Sequence, residues 1–170
     1  MITEIQEGKL CFTFKFDAIK FDDTQYYRKH FVDIKKGIAA VDILAVDNQI
    51  GYLIEIKDYT HPDTKNLTSS VLIEITVNKV ISTLAAILPM KNNAVNGDEK
   101  AIAKKFSKVS QIQVVLHIEK PPPRRTLEQS CYNFQKMKSF LKIKLKPIDA
   151  HPKIVSKENL KGLPWEVIEK

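Results

Sequence analysis

Three charged residues interrupt two neighbouring apolar segments: Asp42 lies in the first segment, and Glu55 and Lys57 lie in the second. A tight turn at 48–49 separates the segments, which predicts an antiparallel hairpin. In the register that this turn sets, Asp42 faces Glu55, and Lys57 projects on the same side as Glu55 because side chains alternate along a strand. Opposed carboxylates only roughly 5 Å apart repel each other unless a positive charge lies between them. The pattern therefore predicts a site for a divalent cation.

These residue types are suited to phosphate chemistry. Mg²⁺ prefers oxygen ligands and is typically held by one or two carboxylates together with a substrate phosphate. The ion lowers the pKa of a bound water and neutralises charge in the transition state, and an amine such as Lys57 stabilises the same charge. The alternative is a structural ion pair between Asp42 and Lys57. We favour the functional interpretation because burying charges for stability alone is usually unrewarding.

Length and composition are those of an ordinary globular protein. The chain has 170 residues, which fits one domain over 1–170, and it carries a formal net charge of +7. Its two cysteines offer no disulfide framework, which predicts a cytoplasmic setting. We find no signal peptide and predict no membrane association, because polar residues interrupt the most apolar segment, 71–88. The positive charge favours a polyanionic partner.

The hydrophobic pattern predicts an alternation of strands and helices. The expected elements are a strand over 9–16 that opens the sheet, a helix over 23–34, the hairpin over 38–59, a buried helix from 69 or 70 to 88, a helix over 98–106, an interior parallel strand over 111–118, a helical stripe from 127 to 141 and an edge strand over 152–155. Pro89 is expected to end the long helix. Residues 141–145 also alternate like a strand, so that boundary is open. The order predicts an α/β (α+β) fold with a mixed central β-sheet, in which an antiparallel hairpin is flanked by helices.

The arrangement resembles the PD-(D/E)xK superfamily of restriction-endonuclease-like nucleases. Ala40-Val41-Asp42 matches the first half of the superfamily motif, with Val41 in place of its Pro, and Glu55-Ile56-Lys57 matches the second half. The resemblance covers a core of roughly 23–118, with 124–170 as a C-terminal helix and short strand. It implies that Asp42 and Glu55 bind Mg²⁺ or Mn²⁺ together with the carbonyl of Ile56. Lys57 would position and polarise the attacking water.

The resemblance also implies acidic or polar residues on the two helices around the hairpin. Near the first helix only Asp22 and Asp23 are available. On the second helix, Glu74 and Asn78 are the candidates.

From these observations the sequence predicts a divalent-metal-dependent nuclease, an endonuclease-type hydrolase with Asp42, Glu55 and Lys57 as catalytic residues and DNA as the expected substrate. The alternative is a non-catalytic nuclease-like module for nucleic-acid binding or assembly. Such a small domain would need a partner protein to hold or cut its target, or would form a homodimer whose two sites address both strands. Four basic residues are candidates for phosphate contacts, although solvated side chains are the commoner case: Arg124, Arg125, Lys138 and Lys142.

Overall fold

A computed structural model of the chain describes residues 2–60, 67–119 and 134–170. The strands are β1 (Thr3–Glu7), β2 (Leu10–Phe14), β3 (Asp17–Lys20), β4 (Ile43–Asp47), β5 (Ile50–Asp58), β6 (Gln111–Glu119), β7 (Lys153–Val155) and β8 (Trp165–Glu169). The helices are α1 (Ser69–Asn93), α2 (Gly97–Phe106) and α3 (Phe134–Leu145), and a π-helical turn covers Tyr27–Phe31.

Two sheets organise the described part of the chain. The larger sheet has the order β3-β4-β5-β6-β7, in which β3, β4 and β5 pair antiparallel and β5, β6 and β7 pair parallel. The smaller sheet is antiparallel, with the order β1-β2-β8. The predicted fold class, a mixed sheet with an antiparallel hairpin flanked by helices, is confirmed. The restriction-endonuclease-like assignment of its core stays a prediction.

The hairpin has the register that the sequence predicts. Asp47 pairs with Ile50, and Leu44 pairs with Leu53. The turn between the strands is tight because Asn48 adopts a left-handed conformation with φ of 51°, which asparagine tolerates better than most residues. Asp42 directly precedes β4, so the same register carries it to the level of Glu55.

Neighbouring residues of β5 pack into different cores. Leu53 lies in the cluster that includes Leu72 and Val80 of α1, whereas Ile54 lies in the cluster that includes Phe12 of the smaller sheet. Side chains alternate along a strand, so Glu55 and Lys57 share the helix side with Leu53. This alternation turns both charged residues towards α1.

Helix α1 extends beyond its predicted end. Thr68 caps it by accepting a hydrogen bond from the Val71 N–H at 3.4 Å, and the helix continues through Pro89 to Asn93. The prediction that Pro89 ends the helix is wrong. A proline inside a helix sacrifices one backbone hydrogen bond, and here the last turn also buries Met90 completely, which favours continuation.

In length and apolar composition α1 would also suit a membrane span. Core helices satisfy the same criterion, and nine residues of α1 are buried within this fold.

Several other expectations differ from the structure. The strand predicted over 9–16 lies in the smaller sheet and does not open the central one. The helix predicted over 23–34 is only a short turn, whose first N–H groups, those of Gln25 and Tyr26, donate to the carboxylate of Glu99 at 2.7 and 3.0 Å. Residues 141–145 are helical, and β7 is the predicted edge strand. The stripe residues Leu127 and Cys131 lie outside the described residues.

We expect Gly51→Ala to destabilise the fold. A Cβ atom at Gly51 would lie 2.5 Å from Cε2 of Phe106, a buried ring at the end of α2. Such overpacking costs about 1–3 kcal/mol, measurable as a loss of unfolding free energy in urea. Adding Phe106→Leu should recover part of that loss because it removes the clashing ring. A double variant as unstable as the sum of the two single variants would contradict this explanation.

Candidate acidic site at the end of the hairpin

Asp42 is fixed by backbone groups from two elements. Its carbonyl accepts a hydrogen bond from the Phe21 N–H at 2.8 Å, which ties it to the end of β3. Its Oδ2 accepts the N–H of Ile56 at 2.6 Å, which ties it to β5. The preceding residue, Val41, donates its N–H to Oγ1 of Thr83 on α1 at 3.0 Å. The carboxylate therefore has one defined orientation, towards Glu55 and α1.

Glu55 lies in the interior of the sheet. β5 pairs with β4 on one side and with β6 on the other, and Glu55 is 0% exposed. Because Asp42 is also buried, the two carboxylates share a region from which most water is excluded. The predicted convergence of Asp42 and Glu55 is present in the structure.

Lys79 is the residue that sequence reasoning missed. Its ammonium lies 3.2 Å from Oδ1 of Asp42 and 2.8 Å from Oε2 of Glu55, so that it bridges the two carboxylates. The signal in the sequence was a lysine near the middle of a largely apolar helix. The two candidates named for this helix are not at the site, since Glu74 pairs with Lys144 at 2.5 Å and Asn78 is exposed.

Lys57 occupies the other side of Glu55. Its Nζ lies 3.3 Å from Oε1 of Glu55, and a quarter of its side chain is exposed. The Lys57 ammonium and Oε1 do not have the geometry of a hydrogen bond. Oε1 is therefore a buried oxygen that accepts no hydrogen bond from the described residues. Together, two carboxylates and two ammonium groups form what we call the acidic site: Asp42, Glu55, Lys57 and Lys79.

Burial controls the protonation of the acidic site. Burial and the nearby charge of Asp42 raise the pKa of Glu55 to about 8, against the opposing effect of Lys79 and Lys57. For Lys79, burial acts to lower the pKa, but the carboxylates of Glu55 and Asp42 outweigh it and raise the pKa. Lys79 is therefore a permanent cation, whereas Glu55 exchanges a proton near neutral pH.

Of the two acids at the first helix, only Asp22 is close to the site. Burial, followed by the charge of Asp42, raises its pKa to about 6, and its Oδ1 is buried without a hydrogen bond from the described residues. Asp23 is exposed and pairs with Lys20 at 3.1 Å and with Arg28 at 3.5 Å. Asp22 adds negative potential to the acidic site.

The oxygen donors of the acidic site fit a hard cation such as Mg²⁺ or Mn²⁺. Asp42 and Glu55 supply the carboxylates. Oε1 of Glu55 accepts no hydrogen bond from the described residues, and this observation favours a bound cation as its partner. No group of three or more His, Cys, Asp or Glu side chains suited to a metal occurs among the described residues. Ile56 contributes its N–H to Asp42, and coordination by its carbonyl stays a prediction.

The other candidates lie elsewhere. Arg124 and Arg125 fall outside the described residues. Lys138 and Lys142 lie on α3, where they line a cavity with Lys153 and Lys161. The structure thus brings together the acids and Lys57, but places these two lysines in a separate cluster.

A second cavity, of about 310 Å³, opens where β6 and β7 end. Ile118, Ile154 and Lys161 are among its lining residues, and Ile118 is the direct strand neighbour of Lys57. Crevices at the carboxyl ends of parallel strands are the usual ligand sites of open α/β sheets. The acidic site and this cavity lie side by side at that end of the sheet.

Comparisons with known proteins give one informative match. The chain is 25% identical over 207 aligned residues to a cysteine–tRNA ligase of Neisseria meningitidis serogroup A, in an alignment that covers 98% of this chain and 30% of the ligase. The chain thus spans about 30% of the length of this curated relative. No family model matches the sequence, and no solved structure matches it.

This match contradicts the nuclease prediction. The relative is named for joining cysteine to tRNA and not for cutting DNA, so the predicted function of a metal-dependent nuclease, with its endonuclease and hydrolase terms, is wrong. The broader expectation, that the protein is an enzyme, agrees with the name of the relative, because a ligase is an enzyme. The physical reason for the error is that two carboxylates and a lysine define a place for charge, but they do not define which bond is broken.

We expect the stability of the protein to fall as pH rises from about 6 to about 8. The pKa of Glu55 is 4.5 in its ordinary state and about 8 in the fold, so in this range the folded state binds the proton more tightly than the unfolded state. The loss is about 2–3 kcal/mol of unfolding free energy, measured by urea denaturation with a chelator present. Glu55→Gln should abolish this slope, whereas Asp22→Asn should keep it because Asp22 titrates near pH 6. A slope that persists in Glu55→Gln would contradict the assignment.

We expect Lys79→Met to destabilise the protein at neutral pH by about 3–5 kcal/mol because it leaves buried carboxylates without their bridging charge. The matched control is Lys104→Met, which removes an exposed lysine of α2 and should change the unfolding free energy by less than about 0.5 kcal/mol. Mg²⁺ should raise the melting temperature of Lys79→Met more than that of the unmodified protein, since no ammonium then competes for the oxygens. Equal stability of the two lysine variants would refute the bridging role.

Proposed function

We propose that this protein binds tRNA without cleaving it and that the acidic site holds one phosphate of the RNA backbone with the help of Mg²⁺. The observation that carries the proposal is the pairing of two buried carboxylates with a partly exposed ammonium, that of Lys57, next to an unsatisfied oxygen of Glu55. Mg²⁺ is commonly bound by one or two carboxylates plus the phosphate of a ligand. The choice of tRNA rests on the name of the relative.

Each residue of the acidic site has a role in this proposal. Asp42 and Glu55 would hold the cation, which supplies positive charge to a phosphate oxygen when it is bound. Lys57 donates hydrogen bonds to the same phosphate, since its side chain is the most exposed of the four. Lys79 keeps the two carboxylates from repelling each other when no metal is present. Asp42 stays in place through its hydrogen bond from the Ile56 N–H.

The chemistry of this arrangement is suited to binding. A backbone phosphate carries a negative charge, and contacts to phosphates position a protein on a nucleic acid without reading its sequence. The net charge of +7 supplies the long-range attraction that brings such a polyanion to the surface. We therefore propose a unit that holds tRNA in place.

The test is fluorescence anisotropy of labelled tRNA with the full chain. Lys57→Met should weaken the affinity about tenfold because a hydrogen bond to a charged group contributes about 1.5 kcal/mol. A chelator should weaken binding by the unmodified protein, and Glu55→Gln should remove this dependence on Mg²⁺. The tRNA should stay intact on a denaturing gel throughout.

Lys104→Met serves as the control for net charge, since it also removes one positive charge but lies on the exposed side of α2. Its affinity should stay within about twofold of the unmodified protein, because a single distant charge is largely screened by salt. An affinity that is indifferent to Mg²⁺, Glu55→Gln and Lys57→Met, or tRNA that is cut, would refute the proposal.

A further inference from the structure

A second cluster of charge lies apart from the acidic site, between α3 and the start of β7. It surrounds a cavity of about 280 Å³. We call it the lysine pocket, and its lining residues are Lys138, Lys142, His151, Pro152, Lys153 and Lys161. Three different parts of the chain thus contribute ammonium groups to one concave surface.

No carboxylate lines the lysine pocket among the described residues. Three lysines elsewhere in the described chain have acidic partners: Lys144 pairs with Glu74, Lys157 with Glu169 and Lys170 with Glu4. Lys138 and Lys142 form no such ion pair in the part of the chain that the structure describes. No carboxylate of the described residues therefore neutralises the positive charge of Lys138 and Lys142.

Holding these lysines together costs free energy. Lys138 and Lys142 are four residues apart on α3, and like charges at that spacing repel each other. Burial, and then the charges of Lys138 and Lys153, lower the pKa of Lys161. An anion in the cavity would reverse both effects, because it places the opposite charge among the ammonium groups.

The backbone holds the pocket in one shape. Lys161 and Gly162 both have left-handed conformations, with φ of 52° and 74°. For a lysine this conformation is strained, and such strain persists only where the surroundings enforce it. Here the Lys161 ammonium donates to the carbonyl of Ile154, and Lys153 Nζ donates to the carbonyl of Lys161 at 3.2 Å. A site ordered in advance loses less entropy when it binds a ligand.

The lysine pocket also connects with the acidic site. Lys161 lines both the lysine pocket and the cavity at the carboxyl ends of β6 and β7. That cavity is lined by Ile118, which is paired with Lys57 on the neighbouring strand. β7 has three residues, which corresponds to about 10 Å. The lysine pocket and this cavity therefore lie at the two ends of one short strand and share Lys161.

We propose that the lysine pocket is a phosphate-binding site and that it takes a phosphate group of the tRNA backbone. The assignment to tRNA rests on the proposed function, whereas the binding of phosphate by the pocket does not. Lysine binds phosphate as a point charge, and several lysines around one cavity need no metal ion to do so. The pocket differs in this respect from the acidic site.

The experiment follows the lysine side chains of the full chain, labelled with ¹³C-lysine, by NMR during a titration with inorganic phosphate in the presence of a chelator. The side-chain signals of Lys161 and Lys138 should shift saturably, and Lys161→Met should weaken the phosphate affinity at least tenfold. Lys138→Met is the second variant. Lys138 lies on an exposed face of α3, so its replacement leaves the strained turn at Lys161 intact. The control is Lys136→Met, an exposed lysine on the same helix that does not line the pocket, and it should leave the affinity unchanged.

A uniform, non-saturating shift of all lysine signals, or equal phosphate affinity in all three variants, would overturn the phosphate site. The same variants are then tested with labelled tRNA in chelator. A tenfold loss with Lys161→Met but not with Lys136→Met supports the assignment to the RNA backbone. Saturable phosphate binding with unchanged tRNA affinity overturns that assignment and points to a small phosphate compound. Loss of the Mg²⁺ dependence of tRNA binding in the Glu55→Gln variant tests the acidic site separately.

Discussion

The ion cluster of Asp42, Glu55 and Lys79 is the constraint around which the described fold is arranged. A charge can be removed from water only if an opposite charge and hydrogen bonds compensate for the lost hydration. Lys79 provides that compensation at 3.2 and 2.8 Å from the two carboxylates. Since the ammonium lies on α1 and the acids on the hairpin, the cluster fixes the rotation of the helix against the sheet. The hydrogen bond from Val41 to Thr83 fixes the same contact four residues later along the helix.

The sequence was sufficient to predict those local features in which side chains repeat with a strict period. Strand side chains alternate with a period of two, so the hairpin register and the shared face of Glu55 and Lys57 followed from the position of the turn. The docking of α1 did not follow, because nothing in the helix's own pattern shows which of its residues contacts the charged residues of the sheet. Lys79 was therefore overlooked beside Asn78, although a lysine near the middle of a largely apolar helix was a visible signal. The continuation of α1 through Pro89 was missed for the same reason. Met90 is buried by tertiary packing, which the sequence of the helix alone does not show.

Function was less predictable than geometry. The residues converge as expected, yet the relative is a cysteine–tRNA ligase, and a pair of acids beside a lysine serves many reactions on phosphate compounds. What the residues do define is a buried carboxylate oxygen, Oε1 of Glu55, that accepts no hydrogen bond from the described residues and lies 3.3 Å from the Lys57 ammonium. Such an oxygen would suit any protein that uses a cation to hold a phosphate group. The acidic site therefore limits the class of ligand more firmly than it limits the reaction.

The two sites differ in how their charge is balanced, and this difference assigns them separate contributions to binding a polyanion. The acidic site holds two carboxylates and two ammonium groups, so in the proposed function it attracts phosphate only when a metal cation adds charge. The lysine pocket has no lining carboxylate in the described part of the chain, so under the same proposal it attracts phosphate directly. Direct attraction between lysines and phosphates is independent of the nucleic-acid sequence and weakens as the salt concentration rises. We therefore propose that general affinity for the polyanion comes from the lysine pocket and that dependence on Mg²⁺ comes from the acidic site.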